Sequence, residues 1–523
     1  MLYLLDCMNE NNLHKGRRIA KNTMLLYVRM FVLMLVGLYT SRVVLNALGE
    51  TDYGIYSVVG GVVAMFTMIS GALNSAVSRF IAFELGKGDL SRLNKVYCTS
   101  VNIQLLLALI VVLLAEPIGL WFIENKMTFG VVDSIKDLQK VEAAKWVLHF
   151  SLLAFVVNLM SVPQMATITA HEKMSAYAYI GILDGLLRLG VAFMILNSPI
   201  DKLVYYAILM AAVVVIVRFA YGLYCRLKFQ ECRYRLVFDG PLAKEMFSFA
   251  GWNFIGVTSG VLRDHGGNIL VNLFSGPVVN AARGVAVQLN GAVQSFVTNF
   301  MTAVNPQITK SYASGDKEYV FSLIGKSSRM AFYLLSLMAI PIIFNAELLL
   351  QVWLKEVPDH AVLFVQLFLM FAMSEALSLP LITAMLATGK IRNYQLAVGG
   401  VQLLNIPLSY LFLKLGAKPE ITVVVAIALS QVCLFVRLVM FNRASGFSVP
   451  DFIKDVYVNA MKVAMIASLL PLLLMYMLPE GLWWSVLNIA ICLLWTAGTV
   501  IWVGCSKSDR DFLKEFIVRR RER

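Results

Sequence analysis

One feature recurs from near the start of this chain to near its end: an apolar run of about 20 residues or more, enough for a helix to cross a hydrocarbon core of ~30 Å. Runs of this kind fall at roughly 23–47, 52–78, 96–124, 143–170, 175–197, 203–227, 245–275, 278–310, 321–346, 360–388, 391–413, 419–442, 455–478 and 482–505. A soluble domain carries roughly 25% charged residues; here 59% of residues are hydrophobic and only 15% are charged. That much apolar surface has no soluble core to enter and must face lipid. The pattern predicts an all-α integral membrane protein with about 14 transmembrane helices.

The net charge of +13 reports topology rather than a nucleic-acid partner, because the basic residues sit in short segments between the apolar runs and form no single patch. With the N-terminus inside, the inner segments hold about 30 Lys and Arg, among them Lys15, Arg79, Arg226, Lys326, Arg329 and Arg443. The outer loops hold about 7, including Lys126, Lys140 and Lys355. This bias fits fourteen crossings with both termini cytoplasmic. The largest outer loop, 125–142, is too short for a catalytic domain, which counts against a membrane-embedded glycan-processing enzyme. The seven cysteines include no CxxC and the five histidines no ligand spacing, so neither a disulfide framework nor a metal centre is expected. The first apolar run lacks a small-residue cleavage site and is expected to stay as a helix, with Met8 an alternative start to Met1.

Sliding the chain by 227 residues reveals an internal repeat: Gly49 falls on Gly276, Val58 on Val285, Ala76 on Ala303, Val77 on Val304, Ile81 on Ile308, Gly88 on Gly315 and Asp89 on Asp316. The same shift pairs two stripes of small or polar residues: Ser57, Ala64, Gly71, Ser75 and Ser78 on the second span, and Gly284, Gly291, Thr298, Thr302 and Asn305 on the eighth. Their spacing puts each stripe on one helix face. Such a face either packs closely against another helix or lines a polar cavity. Each half has an even number of crossings, so two six-helix bundles would be related by a pseudo-two-fold along the membrane normal, with a substrate site between them and two C-terminal helices outside the repeat. The expected parts are a cytoplasmic tail 1–22, an N-terminal lobe 23–230, an inter-lobe loop 231–244, a C-terminal lobe 245–442, two extra helices within 455–505 and a basic tail 506–523.

Charges at mid-membrane cost ~2.5–3.5 kcal/mol on insertion scales and so need a reason. Arg42, Asp184, Arg188, Arg218, Arg263, Asp264, Arg283 and Glu375 all fall inside apolar runs. Arg42, Arg188, Arg218, Arg263, Asp264 and Arg283 are candidates to line a binding cavity, and Asp184 and Glu375 are candidates for ion coupling. Asp184 and Arg188 lie one turn apart and suit an intrahelical pair. Arg263 and Asp264 are adjacent and point about 100° apart, so they are expected not to satisfy each other fully, and at least one to face a cavity or another helix. Arg29 and Arg437, nearer the inner face, are expected to snorkel, and His149 and His265 to pack. Five arginines against three acids describe a cationic cavity, suited to an anion because arginine grips phosphate bidentately.

The stretch Ser41-Arg42-Val43-Val44-Leu45-Asn46-Ala47-Leu48-Gly49-Glu50-Thr51-Asp52-Tyr53-Gly54-Ile55-Tyr56 resembles the helix 1–2 hairpin of bacterial polysaccharide flippases. So do Ser78-Arg79-Phe80 followed by Gly86-Lys87-Gly88-Asp89, and Asn305-Pro306-Gln307 followed by Gly315-Asp316. These flippases belong to the multidrug/oligosaccharidyl-lipid/polysaccharide exporter superfamily, and the resemblance covers about residues 15–445. It implies alternating access between two bundles in a bacterial cytoplasmic (inner) membrane. The implied substrate is an undecaprenyl-pyrophosphate-linked oligosaccharide moved to the outer leaflet for O-antigen, capsule or exopolysaccharide assembly. It further implies no cofactor, coupling to H+ or Na+, and contact with membrane lipids and polysaccharide assembly proteins. The alternative within the superfamily is an ion-coupled multidrug cation antiporter, which calls for an acid-rich cavity in the first lobe. There, Asp52 lies at a span end and Asp184 is the one candidate.

Overall fold

The computed structural model describes residues 10–64, 67–125, 134–235, 237, 239–354, 357–477 and 482–505. Among them the regular structure is helical. In chain order the helices are α1 (Glu10–Ala64), α2 (Thr67–Lys87), α3 (Leu90–Asn125), α4 (Ser134–Ala170), α5 (Met174–Met194) and α6 (Lys202–Lys228). They continue as α7 (Gly240–Ala313), α8 (Lys317–Phe344), α9 (Ala346–Leu354), α10 (Ala361–Ala376), α11 (Leu379–Thr388) and α12 (Arg392–Leu403). The last are α13 (Asn405–Lys414), α14 (Ile421–Ser445), α15 (Val449–Phe452), α16 (Val458–Met477) and α17 (Leu482–Thr499). A π-helical turn, Ile453–Tyr457, joins α15 to α16.

Among the described residues, 11 helices are long and apolar enough to cross a membrane, or 12 when the pair α10–α11, bent by 40°, counts as one span. The expected fourteen is not reached. The difference has two local origins. The spans expected at 245–275 and 278–310 are the two arms of α7, a 74-residue element in which two helices meet at a kink and count as one. The span expected at 52–78 runs through residues 65 and 66, outside the described residues. A straight helix of 74 residues would be roughly 110 Å long at 1.5 Å per residue, far beyond a bilayer core. Its path is broken at Gly276 (φ 80°, ψ 176°), a conformation that a Cβ makes costly. α1 breaks in the same way at Gly49 (φ 78°, ψ 171°).

These two glycines are partners under the 227-residue shift, and the likeness continues downstream. Gly88 (φ 78°) and Gly315 (φ 82°) both adopt the left-handed conformation. Asp89 then accepts a hydrogen bond from the Arg92 amide at 2.9 Å, and Asp316 accepts one from the Tyr319 amide at 3.2 Å. Each aspartate satisfies an amide that the start of a helix would otherwise leave open. The repeat read from a few identities is thus a repeat of backbone conformation.

The chain divides into two compact units, one formed by Met24–Phe254 and the other by Met1–Thr23 with Ile255–Arg523. In the first, α4 packs against α2, α3 and α6, and α5 packs against α6. α3 shows how the unit meets its solvent. Thr99, Ser100 and Gln104 are fully buried, whereas Leu105, Leu109 and Leu113, each one turn apart, are exposed. A helix with polar groups inside and leucine outside is stable only where the surroundings are lipid. In the second unit, α10 packs against α8 and α14, and α12 against α14. The two helices outside the repeat, α16 and α17, both pack on α8. Asn488 Nδ2 donates to Asn345 Oδ1 at 3.0 Å, and Tyr333 Oη donates to the Gly504 carbonyl at 3.2 Å.

Candidate functional site

The sequence candidates in the second unit converge. Arg263 and Asp264 lie on the arm of α7 before Gly276, and Arg283 lies on the arm after it. Arg263 Nε donates to Asp264 Oδ1 at 2.9 Å and Nη2 to Oδ2 at 3.4 Å. The two adjacent residues thus pair in part, while Arg263 also faces another helix and Asp264 stays largely exposed. The three-carbon stem of arginine is long enough to bend its guanidinium back across the turn. Arg263 also lies 4.7 Å over the Phe371 ring of α10, a cation–π contact that helps to offset its lost hydration. Asp264 remains 58% exposed.

Arg283 is in a different state. It is buried at 4% exposure, and neither of its acceptors is a carboxylate. Nη1 donates to Asn268 Oδ1, Nη2 donates to the main-chain carbonyl of Asp264 at 3.2 Å, and the guanidinium lies 5.2 Å from the Phe368 ring. Its Nε has no hydrogen-bond partner among the described residues. Room for the group comes from Gly267, where a Cβ would sit 2.8 Å from Arg283 Nη2. A buried arginine held only by neutral groups is costly unless an anion completes its shell.

Glu375, on α10, faces Arg437 of α14 at 3.9 Å, and Arg437 Nε donates to Tyr394 Oη at 3.3 Å. Arg437 is 2% exposed, so it does not snorkel. The predicted span ended at 442, but α14 runs on to Ser445 and keeps Arg437 inside the bundle. Arg29 does not snorkel either: it lies 4.4 Å over the Tyr177 ring and against Gly181. Sequence reasoning thus placed Arg437 at the membrane face and missed Tyr394, Phe368 and Phe371. Aromatic residues in an apolar helix carry no distinguishing mark. In the second unit the cluster brings Arg263, Arg283 and Arg437 together with Asp264 and Glu375, leaving cations in excess.

The candidates of the first unit are not gathered in this way. Asp184 and Arg188 form the intrahelical pair at 3.0 Å. Arg218 lies near Gly222, one turn on. Arg42 is exposed and forms no ion pair among the described residues. The repeat does not extend to the cluster either, since the 227-residue shift sets Arg283 on Tyr56, Arg263 on Val36 and Asp264 on Gly37. His149 Nδ1 lies 3.4 Å from Glu116 Oε1, whereas His265 is exposed rather than packed. The stripe on the second arm of α7 is open: a Cβ at Gly284 or Gly291 would meet nothing within 4 Å.

Outside the spans, His171 Nε2 hydrogen-bonds Glu231 Oε1 and its ring stacks on Phe229 at 4.2 Å. Burial opposes ionisation of Glu231, but the hydrogen bond to His171 and one to the backbone outweigh it and hold the carboxyl below its ordinary 4.5.

The family model described as polysaccharide biosynthesis protein matches residues 19–312. The chain belongs to this family. The match takes in Arg42, Asp184, Arg188, Arg218, Arg263, Asp264 and Arg283, while Glu375 and Arg437 lie beyond it. No curated protein matches the chain. Solved structures show the fold to be that of MATE transporters of the MOP superfamily. An outward-facing multidrug-resistance MATE transporter aligns with a TM-score of 0.71 at 13% identity, over 83% of this chain and 97% of its own. A MATE transporter in the bent conformation aligns at 0.70 and 12%, over 83% and 96%. A MOP superfamily transporter from Pyrococcus furiosus, described as having a binding pocket of reversed polarity that suggests a different function, aligns at 0.64 and 13%, over 83% and 96%. This polysaccharide-family chain is therefore a multi-pass membrane protein with a transporter fold.

Proposed function

We propose that this protein is a flippase that carries an undecaprenyl-pyrophosphate-linked oligosaccharide from the cytoplasmic to the outer leaflet of a bacterial cytoplasmic membrane, for surface polysaccharide assembly by alternating access. The observation that carries this reading is Arg283, a buried guanidinium without a carboxylate partner, beside Arg263 in a chain of the polysaccharide biosynthesis family. A pyrophosphate cannot cross hydrocarbon bare. Two guanidiniums offer charge-assisted, bidentate hydrogen bonds that replace its hydration. Asp264 competes with the substrate for Arg263, so exchange of partners would let the anion be gripped and released. Arg42 is a separate anion contact on α1. Arg188 and Arg218 are secondary cationic contacts, and Asp184 and Glu375 are the groups for H+ or Na+ coupling. Both termini lie in the cytoplasm, where assembly proteins deliver the loaded lipid.

The test is deletion of the gene in its native host, with lipid-linked oligosaccharide and surface polysaccharide measured together. Accumulation of the lipid-linked unit on the cytoplasmic side with loss of surface polymer is expected. Unchanged levels of both would overturn the reading. The MATE likeness supports a second one, an ion-coupled export of cationic drugs; it predicts that overexpression lowers drug susceptibility and that polysaccharide is unaffected.

A further inference from the structure

The first of the two helices outside the repeat reaches the charged cluster of the second unit through a line of hydrogen bonds. Tyr457 closes the π-helical turn that leads into α16, and its ring packs against Phe435 of α14 at 6.0 Å. Its hydroxyl donates to Gln431 Oε1 of α14 at 3.0 Å, and Gln431 Nε2 donates to Ser374 Oγ of α10. Ser374 Oγ in turn meets Ser430 Oγ, and both serines are buried. Ser430 uses its one proton on the Ile427 carbonyl at 2.7 Å, so Ser374 is the donor between them. Every group in the line is thus held in one orientation, from Tyr457 inward. π-helical turns are rare and recur at functional sites.

The line ends beside Glu375. Ser374 precedes it in the last turn of α10, just before the bend of 40° into α11. Glu375 Oε1 and Arg437 Nη1 face each other at 3.9 Å, and neither atom has a hydrogen-bond partner among the described residues. Opposite charges inside a bundle attract strongly and, left free, close to about 2.8 Å. These two are held apart from both sides: Arg437 is tethered by Tyr394, and the turn that carries Glu375 is tethered through Ser374. We propose that Tyr457 is a positioning residue for Glu375, acting through Gln431 and Ser374 to keep the carboxylate beside Arg437 but short of a hydrogen bond. The π-helical turn and α16 are then a working part of the charged cluster rather than an anchor. The consequence for transport rests on Glu375 being an ion-coupling group; the positioning itself does not.

Carbodiimides attack protonated carboxyls, so a carboxylate closed into an ion pair labels slowly. The test treats the full chain in membranes with dicyclohexylcarbodiimide and counts the label on Glu375 by peptide mass spectrometry, with Glu375→Gln as the blank. Tyr457→Phe keeps the ring and removes only the hydroxyl. It should let Glu375 close onto Arg437 and slow labelling about 2- to 10-fold, the range of one hydrogen bond. Gln431→Leu and Ser374→Ala should do the same. Tyr457→Phe combined with Ser374→Ala should label no more slowly than either alone, because both changes break one line. Unchanged or faster labelling in Tyr457→Phe, or additive effects of the two changes, would overturn the proposal. So would a Glu375 that takes no label in the unaltered chain, since its pair with Arg437 would already be closed. Lipid flipping by the same variants separates the positioning from the coupling. Slower labelling with unchanged flipping, at every pH and Na+ value, would keep Tyr457 as a positioning residue and remove Glu375 from ion coupling.

Discussion

Arg283 is the residue on which the chemistry turns, because it is buried and lacks an anionic partner. A hydrogen bond to a charged group is worth about 1.5–3 kcal/mol, so Arg283→Ala should slow translocation roughly 10- to 100-fold at normal protein level. Arg283→Lys should recover only part of that, since an ammonium cannot reproduce a planar fork. Gly267→Ala separates geometry from stability. The added methyl would meet the end of a flexible guanidinium at 2.8 Å, while alanine favours a helix over glycine by about 1 kcal/mol. Thermal stability should hold or rise as transport falls, measured by melting in detergent beside polysaccharide output in cells. If both fell together, Gly267 would be only a packing residue. A second prediction concerns Glu231, whose carboxyl is held below 4.5 in the fold. A depressed carboxyl stabilises above its unfolded value and loses that contribution as pH falls through the folded one. Glu231→Gln should therefore lower stability near neutrality and flatten the acid limb of the stability–pH curve below about 4.5, where the difference from the unaltered chain disappears. At this scale the sequence made Arg263, Asp264, Arg283 and Glu375 visible, because a charge within an apolar run stands out. It could not show which charges pair, since pairing depends on side-chain paths such as the backward bend of Arg263 onto Asp264.

The elements show why the repeat was legible. Gly49 and Gly276 share one backbone conformation, and a conformation with positive φ demands glycine, so the sequence preserves it as an identity. The same kink separates the two spans expected at 245–275 and 278–310, which are the two arms of α7. Alanine at either glycine should destabilise by about 1–2 kcal/mol, the cost of a left-handed backbone for a residue with a Cβ. Comparable losses are expected for Gly49→Ala and Gly276→Ala, read as lower melting temperatures in detergent; an unchanged melt for either would show that the kink straightens without penalty. The C-terminal pair is held by different means. Asn488 and Asn345 are both buried and bonded to each other. Asn488→Leu would strip Asn345 of this partner at a cost of about 1–3 kcal/mol, and proteolysis should then release α17 from α8 at a lower temperature. Hydropathy placed these helices but not their seat, because the asparagines that anchor them sit in apolar runs with no periodic signal.

For the whole molecule, the sign of the transported charge distinguishes the two readings of a transporter fold. The helices and their lipid-facing leucines establish a multi-pass membrane protein, and MATE-like structures share that architecture. Neither fact says whether the cargo is an anion or a cation, since a fold hosts whatever its site recognises. The second unit does carry a bias, with three clustered arginines facing two carboxylates. Membrane potential converts that bias into a measurable direction. An inside-negative potential favours outward movement of negative charge by ~2.3 kcal/mol per charge per 100 mV and opposes outward movement of positive charge equally. In vesicles that hold the protein and a pyrophosphate-linked oligosaccharide lipid, an imposed inside-negative potassium diffusion potential should speed outward flipping. Reversing the potential should slow it. Ion coupling alters the magnitude through the charge it carries, so the experiment belongs at several pH and Na+ values, where a net anionic cycle keeps its sign. Acceleration by an inside-positive potential under every condition would mean that net positive charge moves outward. That result would place cationic export ahead of lipid flipping and leave Arg283 as a structural cation.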